Sequence, residues 1–296
     1  MPLQLGATFP QTESGTDPAA IRDYAQAVEQ LGYGYILAYD HVVGANPNRP
    51  GWESGRAYSH ESLFHEPFVL FGFLAAATRR VGLVSGVIIL PQRQTVLVAK
   101  QAAALDVLSG GRLRLGVGAG WNEVEYEALG MDFRTRGRRE AEQIRLLRRL
   151  WTAPLVTFAG TFDRITDAGL NPLPVQRPIP IWIGGAQRPA AATDVVLRRI
   201  GRLADGWTLV SPAGPHVEEA WGRIREFARQ AGRDPSALGL EGGLRYGDGD
   251  LDRVRAELQT WRRLGASYAC VNTMGAGLRS LPEHVAALER VYQALQ

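Results

Sequence analysis

Residues 112–130 read RLRLGVGAGWNEVEYEALG and predict a strand, a glycine-rich turn and a helix, in that order. Apolar side chains occupy every second position from Leu113 to Val117, which is the alternation of a β-strand. The helix is predicted to begin at Asn122, a natural N-cap residue, with Glu125 three residues later as in a capping box. The stretch is therefore one strand–turn–helix unit of an α/β fold.

The turn of this unit contains three alternate glycines, Gly116, Gly118 and Gly120. Glycine lacks a β-carbon, so the backbone there can approach a flat or anionic ligand closely. The alternative is a tight turn whose glycines only relieve crowding. The spacing leaves both interpretations open.

The composition describes an ordinary globular protein. At 296 residues, with 45% hydrophobic residues, the chain is long enough for two domains or for one large α/β barrel. The net charge of +3 is small and the arginines are spread along the chain, so no nucleic-acid partner is predicted. Cys270 is the only cysteine, which excludes an internal disulfide. Lys100 is the only lysine, which argues against Schiff-base chemistry unless it faces the site.

The N-terminal sequence, residues 1–6, lacks the charged and apolar regions of a signal peptide. No run approaches the roughly 18 apolar residues that a membrane span needs. We therefore expect a soluble, cytoplasmic protein with no membrane partner.

Strand-like and helical segments alternate along the whole chain, which is typical of a (β/α)8 TIM barrel. The predicted strands cover 3–9, 35–39, 81–90, 113–117, 179–183, 206–210, 238–245 and 268–272. A hairpin-like segment within about 154–180 is interpreted as an insertion after helix 4, so that residues 1–296 form one barrel domain. A doubly wound sheet would favour G-x-G-x-x-G after the first strand, and residues 6–15 contain no such motif.

In a barrel of this kind the active site lies at the C-terminal ends of the strands. The candidates there are Asp40-His41, Ser85-Gly86, Gly118 to Asn122, Gly184-Gly185 and Asn272-Thr273. His41 is either an acid–base or ring-binding group or a structural histidine. The glycine pair at 184–185 leads into a helix start that suits a phosphate, with Arg188 as an added contact, or is a plain turn.

Residues 43–65 form a long irregular segment, and loops of this length are usually functional. His60 and His65 are five residues apart rather than the four of a zinc-binding helix, so no metal site is predicted. Trp52, Tyr58 and Phe64 either cover an apolar ligand or pack the loop down.

Motifs spread along the chain carry a family resemblance. They are Asp40-His41, GLVSGVIILPQR at 82–93, AKQAAALDVLSGGR at 99–112, GVGAGWNE at 116–123, PIWIGG at 180–185 and ADGW at 204–207. Taken in order, they resemble the bacterial luciferase-like superfamily, and within it the actinobacterial branch that uses the deazaflavin coenzyme F420. The resemblance implies a barrel with an insertion, commonly a homodimer, that binds a flavin or deazaflavin at the strand ends.

The resemblance also implies roles for individual residues. Ser85 and Gly86 would form a bulge, often with a non-prolyl cis peptide, behind the ring system, and Asp40 and His41 would lie beside its reactive part. The other cofactor-binding positions would be Gly118, Ala119, Gly120 and Asn122 along the ring and ribityl chain, and Gly184, Gly185, Ala186, Gln187 and Arg188 around the phosphate.

One position departs from part of the family. Ala119 stands where the sugar-phosphate dehydrogenases carry a catalytic glutamate, and Lys100 cannot replace their several phosphate-binding lysines. That activity is therefore not expected. Glu123 and Glu125 are interpreted as acids in the first turn of a capped helix.

Three functions follow from these observations. The first is an F420-dependent oxidoreductase that transfers a hydride between the deazaflavin and a small organic substrate, with His41 as the candidate proton donor. The second is a two-component monooxygenase that uses reduced FMN and oxygen. The third is a flavin-binding barrel without turnover.

Overall fold

The computed structural model describes residues 3–50, 52, 58–186 and 192–296. The strands are β1 Gln4–Thr8, β2 Tyr35–Ala38, β3 Gly82–Ser85, β4 Ile88–Ile89, β5 Leu113–Gly118, β6 Val156–Ala159, β7 Arg164–Ala168, β8 Ile181–Gly184, β9 Gly206–Thr208, β10 Gly239–Arg245 and β11 Tyr268–Asn272. The helices are α1 Pro18–Leu31, α2 Pro67–Ala77, α3 Thr95–Ser109, α4 Glu123–Ala128, α5 Arg136–Thr152, α6 Asp194–Leu203, α7 Pro215–Gln230, α8 Leu251–Arg263 and α9 Leu281–Leu295. Within these ranges no helix combines the length and apolar character needed to cross a membrane.

Eight parallel strands close into a barrel surrounded by helices, which confirms the predicted fold class. The order around the barrel is β3, β2, β1, β11, β10, β9, β8 and β5, and β3 pairs with β5 to close it. The helix boundaries follow from local sequence. Asp17, for example, accepts a hydrogen bond from the Ala19 amide at the start of α1, and Gly32 ends that helix at a φ of 94°.

The third predicted strand is interrupted where the sequence suggests. β3 ends at Ser85, and β4 resumes at Ile88 beside the C-terminal end of β5. The peptide bond between Gly86 and Val87 is cis. Residues 85–87 therefore form a bulge at the carboxyl end of the barrel, and we call them the strand-three bulge.

Two helices follow β5. α4 ends at Ala128, and Gly130 adopts a φ of 66° before α5 begins at Arg136. A left-handed glycine therefore separates the two helices. The antiparallel β6–β7 hairpin then follows α5, outside the barrel sheet.

Lys100 Nζ donates to the Asn171 carbonyl at 2.5 Å, so the only lysine lies on the outer side of the barrel and not at the strand ends.

The amino-terminal half of the barrel is filled by one polar and aromatic cluster, which we call the barrel floor. The guanidinium of Arg114 lies 4.7, 4.5 and 4.1 Å from the ring centres of Tyr35, Trp182 and Tyr268. Its Nη2 also donates to Glu241 Oε1 at 2.8 Å. These residues begin or nearly begin their strands, so the floor closes the N-terminal end and leaves the carboxyl end as the accessible one.

Glycines make room for the floor. A β-carbon on Gly6 would lie 2.2 Å from the Tyr35 ring, and one on Gly239 would lie 2.3 Å from the Trp182 ring. Large rings can therefore fill the barrel because their neighbours carry no side chain.

Candidate active site

The strand-three bulge connects the carboxyl ends of several barrel strands. Asp40, which follows β2, accepts a hydrogen bond from the Ile89 amide at 2.9 Å. Ser85 Oγ donates to the Gly116 carbonyl of β5 at 2.8 Å. These contacts bring most of the predicted site residues into one region.

The glycines around the bulge are required by the protein itself. A β-carbon on Gly118 or on Gly184 would lie 2.6 Å from a methyl group of Val87. One on Gly120 would lie 2.6 Å from Ile89 Cγ2, and one on Gly86 would lie 2.3 Å from Leu37. Glycine is therefore needed at these positions for packing alone. This requirement does not depend on whether the turns also contact a ligand.

Unpaired backbone donors lie next to these glycines. The amide N–H groups of Ala119, Gly120, Gly185 and Ala186 make no hydrogen bond with any residue in the described ranges, and all four residues are half-buried. Trp207 Nε1 donates to the Gly185 carbonyl at 2.7 Å and fixes that turn. Half-buried N–H groups without partners are suited to phosphate or carbonyl oxygens. The predicted phosphate ligands Gln187 and Arg188 lie outside the described residues.

His41 forms a hydrogen-bonded pair with Glu125, the first functional feature that sequence reasoning missed. His41 Nδ1 lies 3.0 Å from Glu125 Oε1, which also accepts from the Val42 amide at 2.9 Å. Gln92 Nε2 contacts the other carboxylate oxygen at 3.4 Å. The Glu125 side chain is 1% exposed and that of His41 is 11% exposed. His41 Nε2 makes no hydrogen bond within the described ranges and is the free atom of the pair.

Aromatic rings surround the imidazole. The ring centres of Tyr58 and Phe64 each lie 4.8 Å from that of His41, and that of Trp121 lies 5.8 Å away. Trp52 in turn packs on Trp121 at 6.2 Å. We call these four residues the aromatic cluster. The rings of the irregular loop thus pack on His41 and limit the access of water to it.

The Asp40 side chain, unlike that of its neighbour His41, is fully hydrogen-bonded within the protein. Both of its carboxylate oxygens are engaged, one by the Ile89 amide and the other by Arg93 Nη2 at 2.8 Å. Arg93 also binds Glu66, the N-cap of α2, at 2.8 Å. Burial raises the pKa of Asp40, and the adjacent guanidinium opposes that rise. The carboxylate therefore joins the end of β2 to Ile89 and Arg93, and both of its oxygens are already hydrogen-bonded.

Glu125 lies in the first turn of α4, as predicted, but its carboxylate has a further partner. Asn122 does cap α4, accepting from the Val124 amide at 3.2 Å. Glu125, however, does not return to Asn122, because its carboxylate is buried against His41. A signal was present, since Asn122, Glu125, Tyr126 and Leu129 follow the i, i+3, i+4, i+7 spacing of the inward face of a helix.

The fold and this site define a (β/α)8-barrel enzyme whose site lies at the carboxyl ends of the strands. A family model described as luciferase-like monooxygenase matches residues 3–268, and the chain belongs to that family. It is therefore an oxidoreductase of the luciferase-like class, whose members use F420 or FMN.

Relatives of both cofactor types are found. An uncharacterised protein of Mycobacterium tuberculosis is 34% identical over 232 residues, covering 76% of this chain and 77% of that protein. An F420-dependent glucose-6-phosphate dehydrogenase of Intrasporangium calvum is 34% identical over 206 residues, covering 67% and 55%. An FMNH2-dependent dimethylsulfone monooxygenase of Pseudomonas putida is 37% identical over 181 residues, covering 60% and 46%.

The barrel also resembles solved structures over its whole length. An F420-dependent secondary alcohol dehydrogenase superimposes with a TM-score of 0.79 and 17% identity, covering 100% of both chains. This likeness supports the fold.

Proposed function

We propose that the protein is an F420-dependent oxidoreductase that transfers a hydride between the deazaflavin and a small organic substrate. The His41–Glu125 pair carries the proposal, because hydride transfer to or from a carbonyl carbon requires a proton to be gained or lost at its oxygen. A histidine with one ring nitrogen held and the other free is suited to that transfer.

The residues around the bulge fit a flavin-like cofactor. The unpaired N–H groups of Ala119 and Gly120 follow β5, and those of Gly185 and Ala186 follow β8, so donors are available on two adjacent turns of the barrel mouth. Donors at the β8 turn would hold the phosphate, and those at the β5 turn would contact the ring or ribityl chain. When bound, F420 would supply the hydride.

The chain's own residues would supply orientation and the proton. Glu125 holds His41 Nδ1, which leaves Nε2 to donate a proton to the substrate oxygen as a carbonyl becomes an alcohol, or to accept it in the reverse direction. The aromatic cluster would exclude water and contact an apolar substrate.

Direct cofactor binding tests this proposal. Tight quenching of F420 fluorescence and F420-dependent turnover with alcohols, enones or imines are the expected results. The monooxygenase relative makes FMN the alternative cofactor. Binding of reduced FMN without binding of F420 would replace the first proposal with the second. Binding of F420 without turnover, with enones and imines never oxidising the reduced form and alcohols never reducing the oxidised form, would instead support a flavin-binding barrel.

We also propose that the protein works as a cytoplasmic homodimer. α2 and α3 expose a set of large apolar side chains that includes Val69, 73% exposed, and Leu108, 74% exposed, together with Phe73, Val96, Leu97 and Val107. Apolar faces of this kind favour association with a second copy. The expected mass in light scattering is that of a dimer, and Val69→Asp with Leu97→Asp should give a monomer.

A further inference from the structure

An open groove of about 520 Å³ lies at the carboxyl ends of β10 and β11, on the same end of the barrel as His41. It is lined by Arg245, Gly247, Asp248, Arg253, Glu257 and Gly275. Nothing in the proposed hydride transfer uses these residues. Their charges are therefore open to another role.

The groove is lined by two cations and two acids, and the Arg245 side chain is paired with neither acid. Arg253 Nη2 binds Asp248 at 2.7 Å, so those two charges are paired. Glu257 Oε2 accepts from the Arg245 backbone amide at 3.4 Å, not from its side chain. Within the described ranges the Arg245 guanidinium makes no hydrogen bond and no ion pair. A free guanidinium beside a groove is the group that binds carboxylate or phosphate oxygens most readily.

Arg245 lies at the barrel mouth. It is opposite Asn272 in the parallel pairing of β10 with β11, and the alternation along β10 places it on the same face as Glu241, which binds Arg114 inside the barrel. Tyr58 belongs to the aromatic cluster around His41, and Tyr39 accepts from Asn272 Nδ2 at 3.4 Å at the end of β11. A ligand that lies against His41 can therefore extend an anionic group toward Arg245.

We propose that Arg245 and its groove form a subsite for a carboxylate carried by a ligand whose remainder lies beside His41. The inference rests on the proposed function for the identity of the main site. A carboxylate there could come from an acidic, otherwise apolar substrate or from the glutamate residues that F420 carries beyond its phosphate. The shared chemistry is the carboxylate, and the test separates its two sources.

The test compares Arg245→Gln with Arg202→Gln, which removes the same charge from the last turn of α6 on an exposed residue. The dissociation constants of 4-phenylbutyrate and of its neutral analogue 4-phenylbutanamide are measured by tryptophan fluorescence, and those of F420 and FMN by quenching. If the substrate supplies the carboxylate, Arg245→Gln should raise the dissociation constant of 4-phenylbutyrate about tenfold. The dissociation constants of the amide and of both cofactors should stay unchanged. If F420 supplies the carboxylate, the dissociation constant of F420 should rise about tenfold. That of FMN, which lacks glutamates, should not change.

The proposal is overturned if Arg245→Gln matches Arg202→Gln in all four constants, with circular dichroism showing both variants folded. A wild type that binds neither cofactor would refute the proposed function alone. The comparison of 4-phenylbutyrate with 4-phenylbutanamide would then still decide the role of Arg245.

Discussion

The barrel floor and the His41 site are built from similar parts and differ in what they can do. Each places a buried glutamate beside a nitrogen base within a group of aromatic rings, Glu241 with Arg114 and Glu125 with His41. Arginine keeps its charge at every accessible pH, whereas an imidazole can exchange a proton near neutrality. The floor is sealed and permanently charged, while His41 retains a free Nε2 at the open end. The same kind of pair thus contributes to stability at one end and, under the proposed function, to chemistry at the other.

The largest expected effect comes from breaking the floor pair. Glu241→Ala leaves the Arg114 charge buried without its partner, which should lower the free energy of unfolding by about 3–5 kcal/mol. Urea denaturation measures the change. The double variant Arg114→Met with Glu241→Leu removes both charges and should recover much of the loss. A loss below about 1 kcal/mol in the single variant would show that the rings alone hold Arg114.

Replacing the base at the open end should affect turnover and leave stability nearly unchanged. His41→Asn removes the proton-exchanging atom, so kcat should fall about 10²- to 10⁴-fold. The melting temperature and the cofactor dissociation constant should stay near those of the wild type. Full turnover in this variant would remove His41 from the reaction.

Glu125 offers a finer test of the same pair. Glu125→Gln keeps an oxygen near His41 Nδ1 but removes the charge, and kcat should fall about 10- to 100-fold with KM unchanged. The variant Glu123→Gln serves as the matched control, because Glu123 lies two residues earlier in the same helical turn and is exposed. Equal effects of the two substitutions on kcat, or a rise in KM alone, would contradict a positioning role.

The smallest expected effect is a pH dependence of stability at a buried histidine, His284. Thr273, predicted as a site candidate, is instead fully buried with its Oγ1 2.7 Å from His284 Nδ1. Burial lowers the pKa of His284, and the nearby Glu13 only partly opposes this. Since the folded protein disfavours the protonated ring, the stability that His284 contributes is present above about pH 6.5 and is lost as the pH falls below it. Melting temperatures from pH 8 to pH 5 should decline less in His284→Gln than in the wild type. If the melting temperatures of the two proteins decline equally, groups other than His284 control the loss of stability at acidic pH.

Sequence periodicity predicted the elements of this barrel well because most of them depend on local pattern. The last strand, Tyr268–Asn272, has the predicted bounds, and the strand before it, Gly239–Arg245, begins one residue after its predicted start. The break after Ser85 was also visible, since Ser85-Gly86 interrupts an otherwise β-rich run. The barrel floor could not be predicted, because Arg114 meets Tyr35, Trp182 and Tyr268 only after four strands close around it.

The site was predicted in outline and not in its pairings. The strand-end rule identified His41, the bulge and the glycine turns from chain order alone. It could not identify the partner of His41, because Glu125 belongs to a helix 84 positions further along. Nor could it separate Asp40 from His41, since only the contact with Arg93 shows that the carboxylate is already engaged.

The Val87 side chain has a consequence for how this enzyme can change. One of its methyl groups fills the space that a β-carbon on Gly118 would occupy, and the other fills the space of a β-carbon on Gly184. The three positions are therefore sterically coupled. A larger side chain at either glycine requires a smaller one at Val87, and the effects of single substitutions will not add. Variant libraries that change these positions one at a time should mostly lose stability, whereas libraries that vary them together can reshape this wall of the proposed cofactor site.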